Sequence, residues 1–187
     1  MLRRKSVTSP SDNLFPFVWE LYLAAFPENE RRSLDYHTET MTKDKFHCDA
    51  ILEGDEPVGL LFWWDLSDFV FVEHLATSPD VRGKGIGNQI LSAIISESIK
   101  PILLEVEHPL DELSRRRIGF YERIGFVLNE YEYRHPSYQQ KEGEFVDLLV
   151  MTHPGAITKE DLQKFKDNEF AIIHFRSFQV RKIFKIT

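Results

Sequence analysis

Cysteine is scarce and long apolar segments are lacking in this chain of 187 residues. Cys48 is the only cysteine, which excludes an internal disulfide and a cysteine-rich zinc site, and we expect its side chain to be buried. The longest apolar stretch, Val58 to Trp64, is far shorter than the roughly 20 residues of a membrane-spanning helix. No apolar segment follows the basic N-terminus, so a secretory signal peptide is not expected. These features predict a soluble cytoplasmic protein with no membrane partner.

Cations are also in deficit, with 23 Lys and Arg against 30 Asp and Glu and a net charge of −7. Binding to nucleic acid through its phosphates needs clustered cations, so a nucleic-acid partner is not expected. The charge is unevenly spread, because residues 1–5 and 170–187 contain seven of the cations and no acid. The middle of the chain is therefore strongly acidic.

Metal ligands and nucleophile motifs are lacking too. The seven histidines are scattered, and none has the H-x-x-x-H spacing of a metal site, so no metal is expected. No G-x-S-x-G elbow is present either. The length and a composition of 42% hydrophobic and 28% charged residues suit one packed domain. We predict a single domain over 1–187, with a core at about 10–152 and a helical or extended C-terminal extension at 153–187.

Hydrophobic periodicity predicts helices and strands in a mixed order. Apolar spacings of three and four predict helices, and a spacing of two predicts strands. The predicted helices are 14–25, 31–41, 86–99, 114–123 and one that a capping box at Thr158 and Asp161 opens. The predicted strands are 46–53, 58–64, 69–76, 102–107, one that starts at 126, and 144–151. Short turns join the first three strands into an antiparallel meander, which predicts a mixed α/β fold around one sheet. Beyond Phe170 the pattern does not separate helix from strand.

A glycine-rich loop between a strand and a helix is the most informative segment, with the sequence Val81-Arg82-Gly83-Lys84-Gly85-Ile86-Gly87-Asn88. Glycines allow a ligand to approach the backbone, and the amides of such a loop and the helix N-terminus attract an anion. The loop therefore predicts a phosphate or pyrophosphate site. Its spacing matches neither a P-loop nor the G-x-G-x-x-G of a dinucleotide site.

The motif Arg82-x-x-Gly85-x-Gly87, after the strand end Glu73 to Thr77, resembles the acetyl-CoA-binding motif of the GNAT acetyltransferases. A second family element is present as Phe120 to Phe126. The resemblance covers roughly residues 45–130. It implies an α/β (α+β) fold with a mixed, mostly antiparallel central sheet flanked by helices. It also implies a splay between the fourth and fifth strands of that fold, here 69–76 and 102–107.

The resemblance implies acetyl-CoA as the co-substrate and no metal. The backbone amides of the loop would hold the pyrophosphate, and the backbone at the end of the preceding strand would pair with the pantetheine. The implied acetyl-CoA-binding residues are Leu75, Ala76, Thr77, Arg82, Gly83, Lys84, Gly85, Ile86, Gly87 and Asn88. The short helix departs from the family at Arg115, Arg116 and Arg117, which either reach the phosphates or form a solvated charge run.

Catalytic residues are expected on the strands that meet at the splay. Tyr121 matches the family tyrosine that protonates the departing thiolate, a role that suits a neutral phenol. Amine acetylation also needs a base, and the candidates are Glu73, Glu105 and Glu107, with His74 as an alternative. A carboxylate in an apolar strand should have a raised pKa unless it is paired. We place Glu73 on the same face as Phe71 and Leu75.

The sequence predicts an acetyl-CoA-dependent N-acetyltransferase that transfers the acetyl group directly to a primary amine of a small molecule or a protein. The acidic middle of the chain favours a cationic acceptor. Two other classes stay open: a non-catalytic acyl-CoA-binding sensor or interaction domain, and a nucleotide-binding regulator. A homodimer is also open, because a basic, Phe-rich tail could pack on a second subunit. Several residues could line an acceptor pocket or serve only in packing: Trp63, Trp64, Tyr131, Tyr133, His135 and Tyr138.

Overall fold

The computed structural model describes residues 2–136, 138 and 145–173, and these form one seven-stranded sheet with helices on both faces. The strands are β1 (Leu2–Ser6), β2 (Phe46–Glu53), β3 (Glu56–Asp65), β4 (Val70–Thr77), β5 (Ile102–Glu107), β6 (Val127–Pro136) and β7 (Phe145–His153). Their order across the sheet is β1-β2-β3-β4-β5-β7-β6. All neighbours are antiparallel except β4 and β5, which confirms the predicted meander and the mostly antiparallel sheet.

Two apolar cores lie on opposite faces of the sheet. The helices are α1 (Phe15–Ala25), α2 (Leu34–Thr40), α3 (Ile86–Glu97), α4 (Glu112–Arg123) and α5 (Lys159–Ile173). Helices α1 and α5 bury apolar side chains against one face of the sheet, which we call the α1 face. Helices α3 and α4 do so on the other, the α3 face. Because successive strand residues point to opposite faces, strands β2 to β7 contribute to both cores.

The splay predicted between two strands is present. The parallel pairing of β4 with β5 covers only three residue pairs and ends at Val72 and Leu104. Beyond that point β4 continues to Thr77 and β5 continues to Glu107. Residues 73–77 therefore leave one edge of β4 without a neighbouring strand among the described residues, and we call this segment the open edge of β4.

The helix ends follow local chemistry. Asp111 caps α4, and its carboxylate accepts a hydrogen bond from the Ser114 amide at 2.7 Å, so the helix begins two residues before the predicted start. Thr158 and Asp161 form the predicted capping box, with the Asp161 amide donating to Thr158 Oγ1 at 3.1 Å. Helix α3 ends at Glu97, and Ile99, which the apolar pattern placed in that helix, is fully exposed.

Several boundaries differ from the sequence-based ones. Strand β1 was not predicted, because its three consecutive basic residues give no apolar pattern. It is an edge strand that extends the sheet to residue 2, before the predicted core. The predicted helix over 31–41 is shorter, and a 3-10 turn at Glu28–Glu30 precedes it. Cys48 is buried, as predicted. Within the predicted C-terminal extension at 153–187, the helix α5 covers Lys159–Ile173, and the rest of the Phe-rich tail lies outside the described residues.

Candidate active site

A cavity of about 290 Å³ lies at the splay. Its lining includes both strands past the last parallel pair, from Glu73 to Ala76 on β4 and from Glu105 to Glu107 on β5. The cavity has walls from both faces of the sheet. On the α3 face it is lined by Arg82, Arg117 and Tyr121, and on the α1 face by Phe26, Glu30, His135 and Tyr138. It therefore joins the glycine loop on one face of the sheet to a second group of residues on the other.

The glycine loop has the backbone that an anion site requires. Gly83 and Gly85 have φ angles of 80° and 75°, in the left-handed region that favours glycine. Gly85 is the N-cap of α3, so the first amides of that helix, from Ile86 to Asn88, have no acceptor within the helix and carry its positive end. The side chains of Arg82 and Lys84 are exposed beside them. These features fit a diphosphate.

Not every predicted loop residue is placed to contribute in the same way. The amides of Arg82 and Lys84 donate within the loop, to the carbonyl oxygens of Pro79 and Val81, so these two residues offer only their side chains. The Ile86 side chain is buried in the core of the α3 face, so only its amide is available.

Along the open edge of β4, the backbone amides and carbonyls of alternate residues face the splay. The Ser78 amide donates to Val58 on β3, and because backbone groups alternate along a strand, those of Ala76 also face β3. A Cβ on Gly59 of β3 would lie 2.8 Å from the Ala76 carbonyl oxygen, which agrees with this direction. The amides and carbonyls of Leu75 and Thr77 therefore face the splay, whereas Ala76 contributes only its side chain to the cavity lining.

Tyr121 lies on α4, on the α3-face side of the cavity. Its ring packs against Phe120 and Phe126, with centroids 5.2 and 5.9 Å away. Burial raises the pKa of the Tyr121 phenol, with Glu107 also raising it and Arg117 opposing the shift. The phenol is therefore a neutral proton donor across the physiological range.

Glu73 is the carboxylate that the structure places differently from the prediction. Phe62 pairs with His74 and Trp63 pairs with Val72, so Glu73 is an extra residue in β4 and forms a bulge. As a result Glu73 and His74 both contact residues of the α1 face, and Leu75 lies on the α3 face. The prediction that Glu73 shares a face with Phe71 is confirmed, but the one that it shares a face with Leu75 is wrong, because the bulge shifts the alternation.

The surroundings of Glu73 argue against a role as the base. Its fully buried carboxylate forms an ion pair with Arg32, and it also accepts hydrogen bonds from Trp64 Nε1 at 3.1 Å and Tyr138 Oη at 2.8 Å. Burial alone would raise the pKa of Glu73, but Arg32 and His74 outweigh burial and hold the pKa well below its usual value. His74 is also engaged, because its Nε2 donates to the Glu30 carbonyl oxygen at 3.0 Å.

Glu105 and Glu107 lie two residues apart on β5 and differ in their partners. Glu107 forms an ion pair with Arg117 at 2.5 Å, at the exposed mouth of the cavity. The side chain of Glu105 is 12% exposed and accepts a hydrogen bond from the Tyr133 hydroxyl. Its Oε2 lies 3.8 Å from Nε2 of His135. The structure thus pairs Glu105 with a phenol, whereas Glu73 and Glu107 each form an ion pair with an arginine.

The remaining candidates separate by position. Of the arginine run, Arg117 reaches the cavity, whereas Arg115 and Arg116 are exposed. Of the aromatic residues named from the sequence, His135 and Tyr138 line the cavity, and Trp63, Trp64, Tyr131 and Tyr133 do not.

Sequence reasoning missed Glu30 and Arg32. Glu30 lines the cavity from the turn after α1, where burial and Glu107 raise its pKa and Arg117 opposes them. Arg32 is buried under the rings of Tyr36, Phe46, Trp64 and Tyr138. Both belong to a polar segment that contains no functional motif, so no local pattern indicated a role.

Two further observations concern the described part of the chain. No helix there has the length and apolar character needed to cross a bilayer. Within the same residues, no three His, Cys, Asp or Glu side chains are grouped so that they could share a metal ion.

Comparison with known proteins identifies the family. A model of the GNAT acetyltransferase domain matches residues 45–128. YjbC of Bacillus subtilis, described as an acetyltransferase, is 30% identical over 156 residues, which are 80% of this chain and 77% of YjbC. A solved structure from Bacteroides thetaiotaomicron, described as a GNAT-family acetyltransferase, is 34% identical with a TM-score of 0.83, covering 91% of this chain and 97% of that one.

The chain belongs to the GNAT family of acetyltransferases. The family, the fold class and the assignment as an acetyl-CoA-dependent N-acetyltransferase are thereby confirmed at the level of the family. This favours an enzyme over the acyl-CoA sensor and the nucleotide-binding regulator.

Two further matches are shorter or more distant. YjaB of Salmonella typhimurium, a peptidyl-lysine N-acetyltransferase, is 31% identical over 80 residues, which are 42% of this chain and 48% of YjaB. A GNAT acetyltransferase from Elizabethkingia anophelis was solved with acetyl-CoA bound; it is 14% identical with a TM-score of 0.58, covering 81% of this chain and 96% of that one. The latter supports the fold alone.

Proposed function

We propose that this GNAT protein transfers an acetyl group directly from acetyl-CoA to a primary amine that enters from the α1 face. The observation that carries the proposal is the cavity at the splay, which has Tyr121 on one side of the sheet and Glu105 on the other. Acetyl-CoA and the amine would approach from opposite faces of the sheet and meet between β4 and β5. Tyr121, the proton donor, would then lie on the acetyl-CoA side, and Glu105, the proton acceptor, on the amine side.

The residues present fit acetyl-CoA. The amides from Ile86 to Asn88 and the cations Arg82 and Lys84 would bind the pyrophosphate. The backbone groups of Leu75 and Thr77 would pair with the pantetheine amides as an added strand would. When bound, acetyl-CoA supplies an acetyl group activated as a thioester.

Two side chains would then move protons. The Glu105 carboxylate accepts a proton from the ammonium group of the acceptor, directly or through a water molecule, and so provides a neutral amine. Tyr121 Oη donates a proton to the sulfur as the carbon–sulfur bond breaks, and it recovers that proton from solvent. The nitrogen, once bonded to the acetyl carbon, loses its second proton to solvent. The products are the N-acetylated amine and free CoA. No covalent enzyme intermediate is needed.

The acceptor that fits the α1 face is a cationic amine. Glu30, Glu105 and Glu107 line the cavity, and the aromatic rings of Phe26 and Tyr138 form part of its wall. Carboxylates and aromatic rings together attract an alkylammonium group. The peptidyl-lysine activity named for YjaB supports a lysine side chain as the first protein acceptor to test. The cytoplasmic location, the single domain over 1–187 and a homodimer stay predictions.

Thermal unfolding followed by an amine panel tests the proposal. We expect acetyl-CoA to raise the melting temperature more than ATP or NAD does, and a lysine-containing peptide or a polyamine to cause release of free thiol. Stabilisation by acetyl-CoA without thiol release from any amine would favour a sensor. Stabilisation by ATP or NAD but not by CoA would favour a nucleotide-binding regulator.

Replacement of the proposed acid gives a second test. In Tyr121→Phe we expect kcat to fall about 10²-fold, because the leaving thiolate loses its proton donor. Affinity for acetyl-CoA, measured by calorimetry, should change little because the ring remains. A kcat equal to that of the wild type would remove Tyr121 from the mechanism.

A further inference from the structure

Tyr133 contacts the proposed base from two strands away. It lies on β6, is 3% exposed and does not line the cavity. Strand β7 separates β6 from β5, yet the Tyr133 hydroxyl donates a hydrogen bond to Oε1 of Glu105. The phenol thus reaches behind the base, on the side away from Tyr121.

A bulge in β6 determines which tyrosine makes this contact. Asn129 pairs with Val150, and Tyr133 pairs with Leu148, so four steps along β6 match two along β7. In an unbroken ladder the residue opposite Leu148 would be Tyr131. The two extra residues instead bring Tyr133 to Glu105, and the Tyr131 hydroxyl donates to the Ile157 carbonyl oxygen at 3.0 Å. Bulges of this kind often redirect a side chain beside an active site.

The Tyr133 ring is itself held in place. Phe165 of α5 packs against it with a centroid distance of 6.1 Å, and Lys166 Nζ lies 5.6 Å from the ring centroid. The phenol is therefore fixed from behind by a helix. A hydroxyl held in this way fixes the rotamer of the carboxylate that accepts its hydrogen bond.

The other titratable and charged groups around Glu105 come from three directions. His135, on β6, lies 3.8 Å from Oε2. Tyr138 faces the carboxylate from the segment after β6, although its hydroxyl donates to Glu73. Glu107 is on the same strand and is paired with Arg117. The Tyr133 hydroxyl, by contrast, donates its hydrogen bond directly to an oxygen of this carboxylate.

We propose that Tyr133 is a positioning residue that holds Glu105 ionised and oriented toward the acceptor amine. The inference rests on the proposed function, in which Glu105 is the base. A hydrogen bond donated to a carboxylate stabilises its charged form, so the carboxylate stays able to accept a proton at a lower pH. Occupation of Oε1 by the phenol directs proton transfer to Oε2.

The test is the pH profile of amine-dependent kcat/KM for Tyr133→Phe, measured by thiol release. We expect the low-pH limb to move up by about one pH unit, because a hydrogen bond to a charged group typically corresponds to a shift of that size. The matched control is Tyr131→Phe, which also loses one hydroxyl hydrogen bond from the same strand, and its limb should stay in place. A limb unchanged in Tyr133→Phe, or shifted equally in both variants, would overturn the inference.

Two additional measurements keep the outcomes distinct. Replacement of Tyr133 by 3-fluorotyrosine keeps the shape of the side chain and makes the phenol a stronger hydrogen-bond donor. The low-pH limb of the kcat/KM profile should therefore move to lower pH. No movement would overturn the inference, even if Tyr133→Phe did not fold. Absence of amine-dependent thiol release by the wild type would overturn the proposed function and this inference with it. A third outcome would separate the two roles. If Glu105→Gln altered the low-pH limb of the kcat/KM profile but neither Tyr133 replacement moved it, the role of Tyr133 alone would be overturned.

Discussion

Glu73 and Glu105 lie on adjacent strands at the splay and both point toward the α1 face, but their surroundings differ. Glu73 has a buried arginine as its partner and receives hydrogen bonds from Trp64 and Tyr138. Glu105 receives a hydrogen bond from Tyr133 and borders the cavity. Arg32 and His74 hold the pKa of the Glu73 carboxyl well below its usual value, whereas the donor to Glu105 is a neutral phenol. The difference shows why burial in an apolar strand does not by itself identify a base.

The largest contrast is expected in activity. Glu105→Gln should lower kcat/KM for an amine by about 10²- to 10⁴-fold, because the amide cannot accept the proton. Glu107→Gln is the matched comparison, since it makes the same change two residues along the strand in a carboxylate that is paired with Arg117. We expect its effect to be below about tenfold, because a surface ion pair contributes about 1 kcal/mol or less. Equal losses in the two variants would contradict the assignment of Glu105.

The next contrast concerns stability. Arg32→Met should lower the free energy of unfolding by about 3–5 kcal/mol, because it leaves the buried Glu73 charge without its partner. The double variant Arg32→Met with Glu73→Leu should recover much of that loss, since it removes both charges. Denaturant unfolding followed by fluorescence provides the measurement. A single variant as stable as the wild type would show that the pair is not required for folding.

Stability should also depend on pH through Glu73. Its pKa in the folded protein is below the ordinary value of 4.5, so the unfolded state binds more protons in acid. The stabilisation is fully present above pH 4.5 and is lost as the pH falls through the lower folded-state pKa. Unfolding free energies of the wild type should therefore fall more steeply below pH 4.5 than those of Glu73→Gln. Parallel curves would mean that another group causes the acid sensitivity.

The smallest effect is expected for Tyr138→Phe. Its hydroxyl donates to Glu73 at 2.8 Å, so its loss should cost about 1 kcal/mol of stability. The low-pH limb of the activity profile should not move, in contrast to Tyr133→Phe, because the lost hydrogen bond is not to Glu105. A shift of that limb in Tyr138→Phe would mean that the two carboxylates are coupled.

Much of the fold could be predicted from local patterns. The alternation in β2, the apolar run of β3, the apolar stripe of α3 and the glycine loop each depend on neighbouring residues, and the structure agrees with them. The family motifs then indicated the splay. Strand β1 could not be predicted, because an edge strand with basic residues gains its stability from pairing with β2 and not from a pattern of its own.

The candidate site was predictable only in part. The positions of Tyr121 and Glu105 follow from motif and strand, but the difference between Glu73 and Glu105 depends on a bulge in each of two strands and on Arg32, which is 41 residues from Glu73 in the sequence. Bulges and long-range ion pairs are set by tertiary packing, and no local sequence pattern encodes them.

The most direct measurement is amine-dependent CoA release from pH 6 to pH 10 by the wild type and by Glu105→Gln. If Glu105 is the base, the wild-type kcat/KM should level off at the pH where the carboxylate is ionised. The variant should instead keep rising, so that its deficit shrinks as the amine loses its own proton in solution. A Glu105→Gln profile with the same shape and height as that of the wild type would contradict the account.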